Sequence, residues 1–328
     1  MRLFCTLLLA ASAIAQPKIT AVVNAADFTS NVAYGGLGTI FGMALSDANY
    51  SAPGLPLPQK LGPTELFVCV GGAGYANRTE ITDGGCEALQ LIYASPTQIN
   101  FLMFDSLPQK PGFAGQLFAF VRVNGVLSNG DTSTPQMPGF MSPASRLFLV
   151  NSAPAIFLEG TDSYVDARFI TPTVFQTTRR AVTDQQGNVL TSANPARVGQ
   201  YYTIWFTGLG AFANGKPVAP IAMSFGSVPV FGYPAPIALP ASTSYVGPSP
   251  QFPGLYQINF QLPSFVVDGK ALGYGDNYSP GSHFFPCGNY DWEIGLNIDP
   301  QAHYQWWTLG GATLIPVAVK NGDIPCGS

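Results

Sequence analysis

The chain reads as an all-β protein of two tandem β-sandwich domains arising from an internal duplication, and three observations predict this. First, turn formers are abundant (36 Gly and 29 Pro), while 12% of residues are aromatic and only 10% are charged. A disordered chain shows the opposite balance, rich in charge and poor in aromatics. Many Val, Ile, Phe and Tyr residues between Gly and Pro clusters describe short strands joined by tight loops. Second, a tetrapeptide recurs, as Gln98-Ile-Asn-Phe101 and Gln257-Ile-Asn-Phe260. Third, a length of 328 residues suits two domains of roughly 100–200 residues better than one.

The N-terminus comes first in chain order. Arg2 supplies a positive charge, Leu3 to Ile14 are apolar apart from Thr6 and Ser12, and Ala13-Ile14-Ala15 has the small-x-small pattern of a signal-peptidase site. Residues 1–15 are therefore expected to be a signal peptide cleaved after Ala15. The apolar run is shorter than the about 20 residues that span a bilayer, and no later segment has that length, so no membrane insertion of the mature chain is expected. Cys5 lacks the surroundings of a lipoprotein cysteine. The expected location is secreted, extracellular or at the cell surface.

The repeat defines the domains. Besides the tetrapeptide, Gly38-Thr-Ile-Phe-Gly-Met-Ala-Leu45 resembles Tyr202-Thr-Ile-Trp-Phe-Thr-Gly-Leu209, in the same order and at a similar spacing. A looser match sets Val121 to Ser128 against Trp307 to Leu314. Its wider spacing places an aromatic-rich insertion in the second copy, at about residues 268–300. The first domain is expected over 16–150 and the second over 151–328, with a Pro-bearing seam at Asn151-Ser-Ala-Pro-Ala155. Side chains alternate between the two faces of a strand. Ile99, Phe101, Ile258 and Phe260 should therefore be buried, with Gln98, Asn100, Gln257 and Asn259 facing away from the core.

The order of these segments resembles the IPT/TIG group of immunoglobulin-like domains. More specifically, Val23-Asn-Ala-Ala-Asp-Phe28, Thr39-Ile-Phe-Gly42, Ser95-Pro-Thr-Gln-Ile-Asn-Phe101, Ala153-Pro-Ala-Ile-Phe157, Asn194-Pro-Ala196, Thr207-Gly-Leu-Gly210 and Gly254-Leu-Tyr-Gln-Ile-Asn259 resemble the uncharacterised Solibacter-type C-terminal domain of exported acidobacterial proteins. The resemblance covers about residues 19–320. It implies an immunoglobulin-like sandwich for each copy and an exported location, and it supplies no activity. The cysteine-bearing stretch Gly71 to Ala88 and the segment around Cys287 depart from the family pattern.

Without the signal segment four cysteines remain, Cys69, Cys86, Cys287 and Cys326, an even number that argues for two disulfides in an exported chain. Four cysteines allow three connectivities. Because domains usually fold as units, the pairs expected are those within one copy, Cys69 with Cys86 and Cys287 with Cys326. No spacing of Cys and His suggests a metal site.

Candidate chemistry is sparse, and no catalytic residue is assigned. The two histidines, His283 and His303, stand in no HExxH pattern, and there is no Gly-x-Ser-x-Gly elbow. Asp291 and Glu293 share one face of an expected strand, and a solvated strand face explains them more simply than a carboxylate pair for glycoside hydrolysis. Asp162, Asp166 and Asp184-Gln-Gln-Gly-Asn188 offer oxygen ligands without EF-hand spacing. The last of these reads as a hairpin turn with Gly187 and Asn188 at positive φ. No cofactor is called for.

The best binding candidates are aromatic: Tyr278, Tyr290 and Trp292, within a cluster that includes Tyr274, Phe284, Phe285, Tyr304, Trp306 and Trp307. Flat rings stack on the apolar faces of sugars, although large aromatics also fill sandwich cores. A net charge of −4 with no basic run argues against nucleic acid and anionic membranes. The partner classes that fit are neutral polysaccharide and other surface proteins. The expectation is a non-enzymatic extracellular or cell-surface structural or adhesion protein. The alternatives are a carbohydrate-binding module using the second-domain insertion and, third, a secreted hydrolase.

Overall fold

Period-two alternation of apolar and polar residues makes strands, and strands are what this chain forms. The computed structural model describes residues 15–70, 86–106, 117–128, 145–166, 173–191, 193–210, 242–262, 288–297 and 313–319, with short pieces at 212–213, 216–217, 222–226, 239–240, 266–267 and 270–271. No α-helix occurs among the described residues. The protein is an all-β sandwich.

The first half carries β1 (Lys18–Asn24), β2 (Asn31–Ala33), β3 (Leu37–Met43), β4 (Tyr50–Ser51), β5 (Lys60–Leu61), β6 (Thr64–Val70), β7 (Cys86–Ala88), β8 (Gln90–Ala94), β9 (Gln98–Leu102), β10 (Leu117–Val123), β11 (Val126–Leu127) and β12 (Arg146–Val150). The second half carries β13 (Ala155–Ile156), β14 (Leu158–Asp166), β15 (Thr173–Arg180), β16 (Val182–Thr183), β17 (Ala196–Arg197), β18 (Tyr201–Thr207), β19 (Phe212–Ala213), β20 (Lys216–Pro217), β21 (Ala222–Gly226), β22 (Leu239–Pro240), β23 (Ser242–Pro248), β24 (Tyr256–Gln261), β25 (Val266–Val267), β26 (Lys270–Ala271), β27 (Gly288–Asn297) and β28 (Thr313–Val319).

One sheet of the first half runs β1-β3-β9-β8-β4 and another β2-β12-β10-β6-β5. In the second half the orders are β13-β18-β24-β23 and β17-β28-β27-β21-β22. The first four strands of each sheet correspond between halves in chain order. A parallel pairing in each half also corresponds, β2 with β12 and β17 with β28. Gly288–Asn297 is therefore a ladder strand, holding the place that Leu117–Val123 holds in the first half, although the looser sequence match put it inside an insertion. That match aligned Trp307 to Leu314 with the β10 region. In the sheet order it is β28 that stands where β12 stands, next to the short parallel strand.

Two packing units emerge, and they interleave along the chain. One comprises 1–22, 40–101 and 108–147, the other 23–39, 102–107 and 148–328. The first is centred on Ile40, Leu66, Leu91, Ile99 and Phe101, all at most 1% exposed. Across β10 and β6, Arg122 stands opposite Glu65 and donates to both carboxylate oxygens, from Nε at 2.9 Å and Nη2 at 2.8 Å, with its guanidinium 4.8 Å from the Phe67 ring centre. The hydrogen bonds from Arg122 hold the Glu65 carboxyl below its ordinary pKa. The second unit buries Ile204, Phe206, Ile258, Phe260 and Leu262. Burial alternates along β24 as expected, with Tyr256, Ile258 and Phe260 inward and Gln257, Asn259 and Gln261 partly exposed. The same alternation in β9 buries Ile99 and Phe101 and leaves Gln98 and Asn100 partly exposed.

Candidate functional site

The residues singled out from the sequence fare differently. Cys69 and Cys86 lie opposite one another on β6 and β7 and are joined as a disulfide across the strand pair. Beside it pack Phe118, Phe120 and Phe67. Cys287 and Cys326 fall outside the described residues, as do Tyr278, His283, His303, Trp306 and Trp307. Tyr290 and Trp292 lie on β27, their backbones opposite Val317 and Ile315 of β28, and Asp291 and Glu293 stand opposite Pro316 and Leu314. Asp162 and Asp166 pair with Thr177 and Thr173 in the β14–β15 ladder.

Asp184 closes a turn. Its Oδ1 accepts from the backbone N–H of Gln186 (3.0 Å) and of Asn188 (2.8 Å), while Oδ2 accepts from the Asn188 and Asn194 carboxamides. Burial would raise its pKa, and these donors outweigh burial and lower it. Gly187 takes φ +84° as the turn demands. Asn188 is not at positive φ, so the expectation that both residues would be is corrected. The Asp184 side chain supplies the bonds that a second left-handed residue would otherwise have to arrange.

Asn24, Ala153, Thr207 and Gly254, far apart in the sequence, meet inside the second packing unit. Asn24, 1% exposed, donates from Nδ2 to the Ala153 carbonyl at 3.0 Å and accepts from the Ala26 N–H at 2.9 Å. The Ala153 N–H donates to the Gly208 carbonyl. Thr207 has no solvent exposure; its Oγ1 accepts from the Leu37 N–H (2.8 Å) and donates to the Gly254 carbonyl (2.7 Å). Tyr256 Oη donates to the Gly35 carbonyl at 3.2 Å. Burial, followed by the charge of Asp105, pushes the Tyr256 hydroxyl up to about 12. Each buried side-chain group here has a partner, which is what makes burying a polar group tolerable. The motif residues thus act as fasteners.

A second constellation lies on the outward face of the β16-β18-β24-β23 sheet. Three strand registers lay it out in rows. Thr183, Thr203, Asn259 and Tyr245 form one row; Trp205, Gln257 and Gly247 form the next; Tyr201 and Gln261 begin a third. Thr203 Oγ1 donates to Asn259 Oδ1 at 3.0 Å, Trp205 Nε1 donates to Thr183 Oγ1 at 3.0 Å, and Gln261 Nε2 donates to the Gly199 carbonyl at 2.9 Å. The Tyr245 ring rests on Gly247, where an added Cβ would come 2.7 Å from its Oη, and Oη donates to the Pro248 carbonyl at 2.8 Å. Tyr201 and Tyr245 are 44% and 40% exposed. Sequence reasoning placed Gln257 and Asn259 away from the core, yet it missed Trp205 and Tyr245 as their companions. The available signal was the alternation Tyr201, Thr203, Trp205 against Tyr202, Ile204, Phe206, together with a glycine two residues after Tyr245.

No protein-family model matches the chain, and no curated protein matches it. Among solved structures it is similar to one described as "FdeC, a Novel Broadly Conserved Escherichia coli Adhesin Eliciting Protection against Urinary Tract Infections". That similarity has 12% sequence identity and a TM-score of 0.22 over 91% of this chain and 63% of the adhesin chain, so this chain matches less than two thirds of the adhesin's length.

Proposed function

We propose that the protein is an exported, non-enzymatic structural or adhesion protein of the cell surface or extracellular matrix, with two sandwich units of common origin as its scaffold. The observation that carries this reading is the Cys69–Cys86 disulfide within an all-β chain that opens on an export-signal pattern. Disulfides form and persist in oxidising compartments outside the cytosol. The corresponding strand orders of the two halves support a duplication, and the recurrent tetrapeptide supports it independently. The resemblance to the Solibacter-type family belongs to the same proposal. Such a scaffold presents surface and spacing, and the buried Asn24, Thr207 and Tyr256 bonds fasten the second packing unit.

Fractionation of the native host tests the location, and loss of the gene tests the role. The mature chain, beginning at Gln16, should be recovered outside the cytoplasm with Cys69 and Cys86 oxidised. Cells lacking the gene should attach less well to surfaces, and purified protein added from outside should restore attachment. Cytoplasmic recovery with reduced thiols, or attachment unaffected by the deletion, overturns the proposal.

A further inference from the structure

The outward face of the β16-β18-β24-β23 sheet carries more than a solvated sheet needs. Its rows hold Thr183, Tyr201, Thr203, Trp205, Tyr245, Gln257, Asn259 and Gln261, with no acid or base among them. A sheet face that only has to stay in water is ordinarily dressed with charge, which keeps it soluble and blocks association. Here the polar groups are amides and hydroxyls, and the apolar groups are rings.

The arrangement is built. Gly247 leaves the space that the phenol end of Tyr245 occupies, and the bond to Pro248 fixes the ring there over the sheet. The Trp205 indole is tied at its other edge to Thr183. Between them, in the row Trp205–Gln257–Gly247, stands the Gln257 carboxamide, half-buried and with no hydrogen-bond partner among the described residues. Adjacent strands are about 5 Å apart, so β18 and β23 flank Gln257 at about 10 Å from one another. Beside it, Thr203 fixes the Asn259 oxygen and leaves its NH₂ to the solvent, while Gly199 fixes the Gln261 NH₂ and leaves its oxygen.

An aromatic ring fixed beside amide donors and acceptors matches one kind of partner. A sugar offers an apolar C–H face to an aromatic ring and a rim of hydroxyls that both donate and accept. An anionic or cationic ligand finds no counter-charge on these rows. We propose that this face binds an uncharged polysaccharide, with Tyr245 and Trp205 as stacking platforms and Gln257 as the central hydrogen-bonding group. It is a different site from the Tyr278, Tyr290 and Trp292 cluster considered from the sequence, and it does not rest on the adhesion reading.

Native affinity electrophoresis of the full mature chain in gels containing hydroxyethylcellulose, xyloglucan, galactomannan or dextran tests it. At least one of these should retard the protein, equally at low and high salt. Tyr245→Ala and Gln257→Ala should each weaken retardation by about tenfold or more, with unchanged thermal unfolding midpoints. No retardation by any of the four overturns the proposal, as does retardation that salt abolishes or that both variants retain. Because attachment is measured separately by gene deletion, absence of retardation together with a deletion that still impairs attachment refutes the glycan reading alone.

Discussion

Phe101 and Phe260 close the two copies of Gln-Ile-Asn-Phe, and both are essentially without solvent contact, at 1% and 0% exposure. Phe260 also lies 5.9 Å, ring to ring, from Tyr202. Truncating either phenylalanine leaves a cavity that neighbouring strands cannot fill, so Phe260→Ala should cost about 3–5 kcal/mol in urea unfolding. A cost below about 1 kcal/mol would contradict the packing described. Tyr256 makes a pH-dependent prediction. Its hydroxyl ionises near 12 in the folded protein, against about 10 when unfolded. Below pH 10 neither state is ionised and its contribution is complete. Between about 10 and 12 the unfolded chain loses the proton and the folded one keeps it, so stability should fall by about 3 kcal/mol. In Tyr256→Phe this part of the alkaline loss should be absent, at a cost of about 1–2 kcal/mol at neutral pH because the Gly35 carbonyl loses its donor. Gly208 has φ +80°, and a Cβ there would run into the Ala153 carbonyl. Gly208→Ala should therefore destabilise by about 1–3 kcal/mol, read from the thermal midpoint.

At the scale of elements, the strands follow local rules and their neighbours do not. The β6–β7 pair was legible because Cys69 sits in an apolar alternating run and Cys86 where the chain returns to β8 (Gln90–Ala94), so closing the excursion between them needed no knowledge of the fold. With a separation of 17 residues, the chain-entropy account gives this bond about 3 kcal/mol. Reduction, or replacement of Cys69 and Cys86 together by Ser, should lower unfolding stability by about that amount, and an unchanged denaturation midpoint would argue against it. β27 was legible as a strand, on which Asp291 and Glu293 were expected, but its place in the sheet was not. Its Tyr290, Trp292 and Ile294 alternate as a strand should, but the looser match of Val121 with Trp307 put that strand inside an insertion. The sheet order puts Leu117–Val123 opposite Gly288–Asn297 in the comparison of halves, which no residue-by-residue match had suggested.

For the whole molecule, the two packing units interleave along the chain. Segments 23–39 and 102–107 pack with residues 148–328, through bonds such as Asn24 to Ala153, Leu37 to Thr207 and Tyr256 to Gly35. A fragment ending at Val150 would leave Asn24 and the Leu37 N–H without these partners, and each unsatisfied buried group costs about 1–3 kcal/mol. Residues 16–150 expressed alone should unfold at a lower urea concentration than the intact chain. A fragment as stable as the intact protein would show that these bonds contribute nothing to it.

The sequence by itself determined what period-two alternation and chain proximity can decide: strands as the dominant element, Ile99, Phe101, Ile258 and Phe260 as core, Gln257 and Asn259 as outward, and Cys69 beside Cys86. Those properties follow from side-chain chemistry acting on neighbours a few residues away. Only the tertiary structure decided which strand pairs with which, that Asn24, Ala153, Thr207 and Gly254 converge, and that Trp205, Gln257 and Tyr245 share one face. A backbone N–H is as well satisfied by one strand as by another, so partner choice rests on the sum of packing over the whole sheet. That sum is a property of the folded chain, and no window of the sequence contains it.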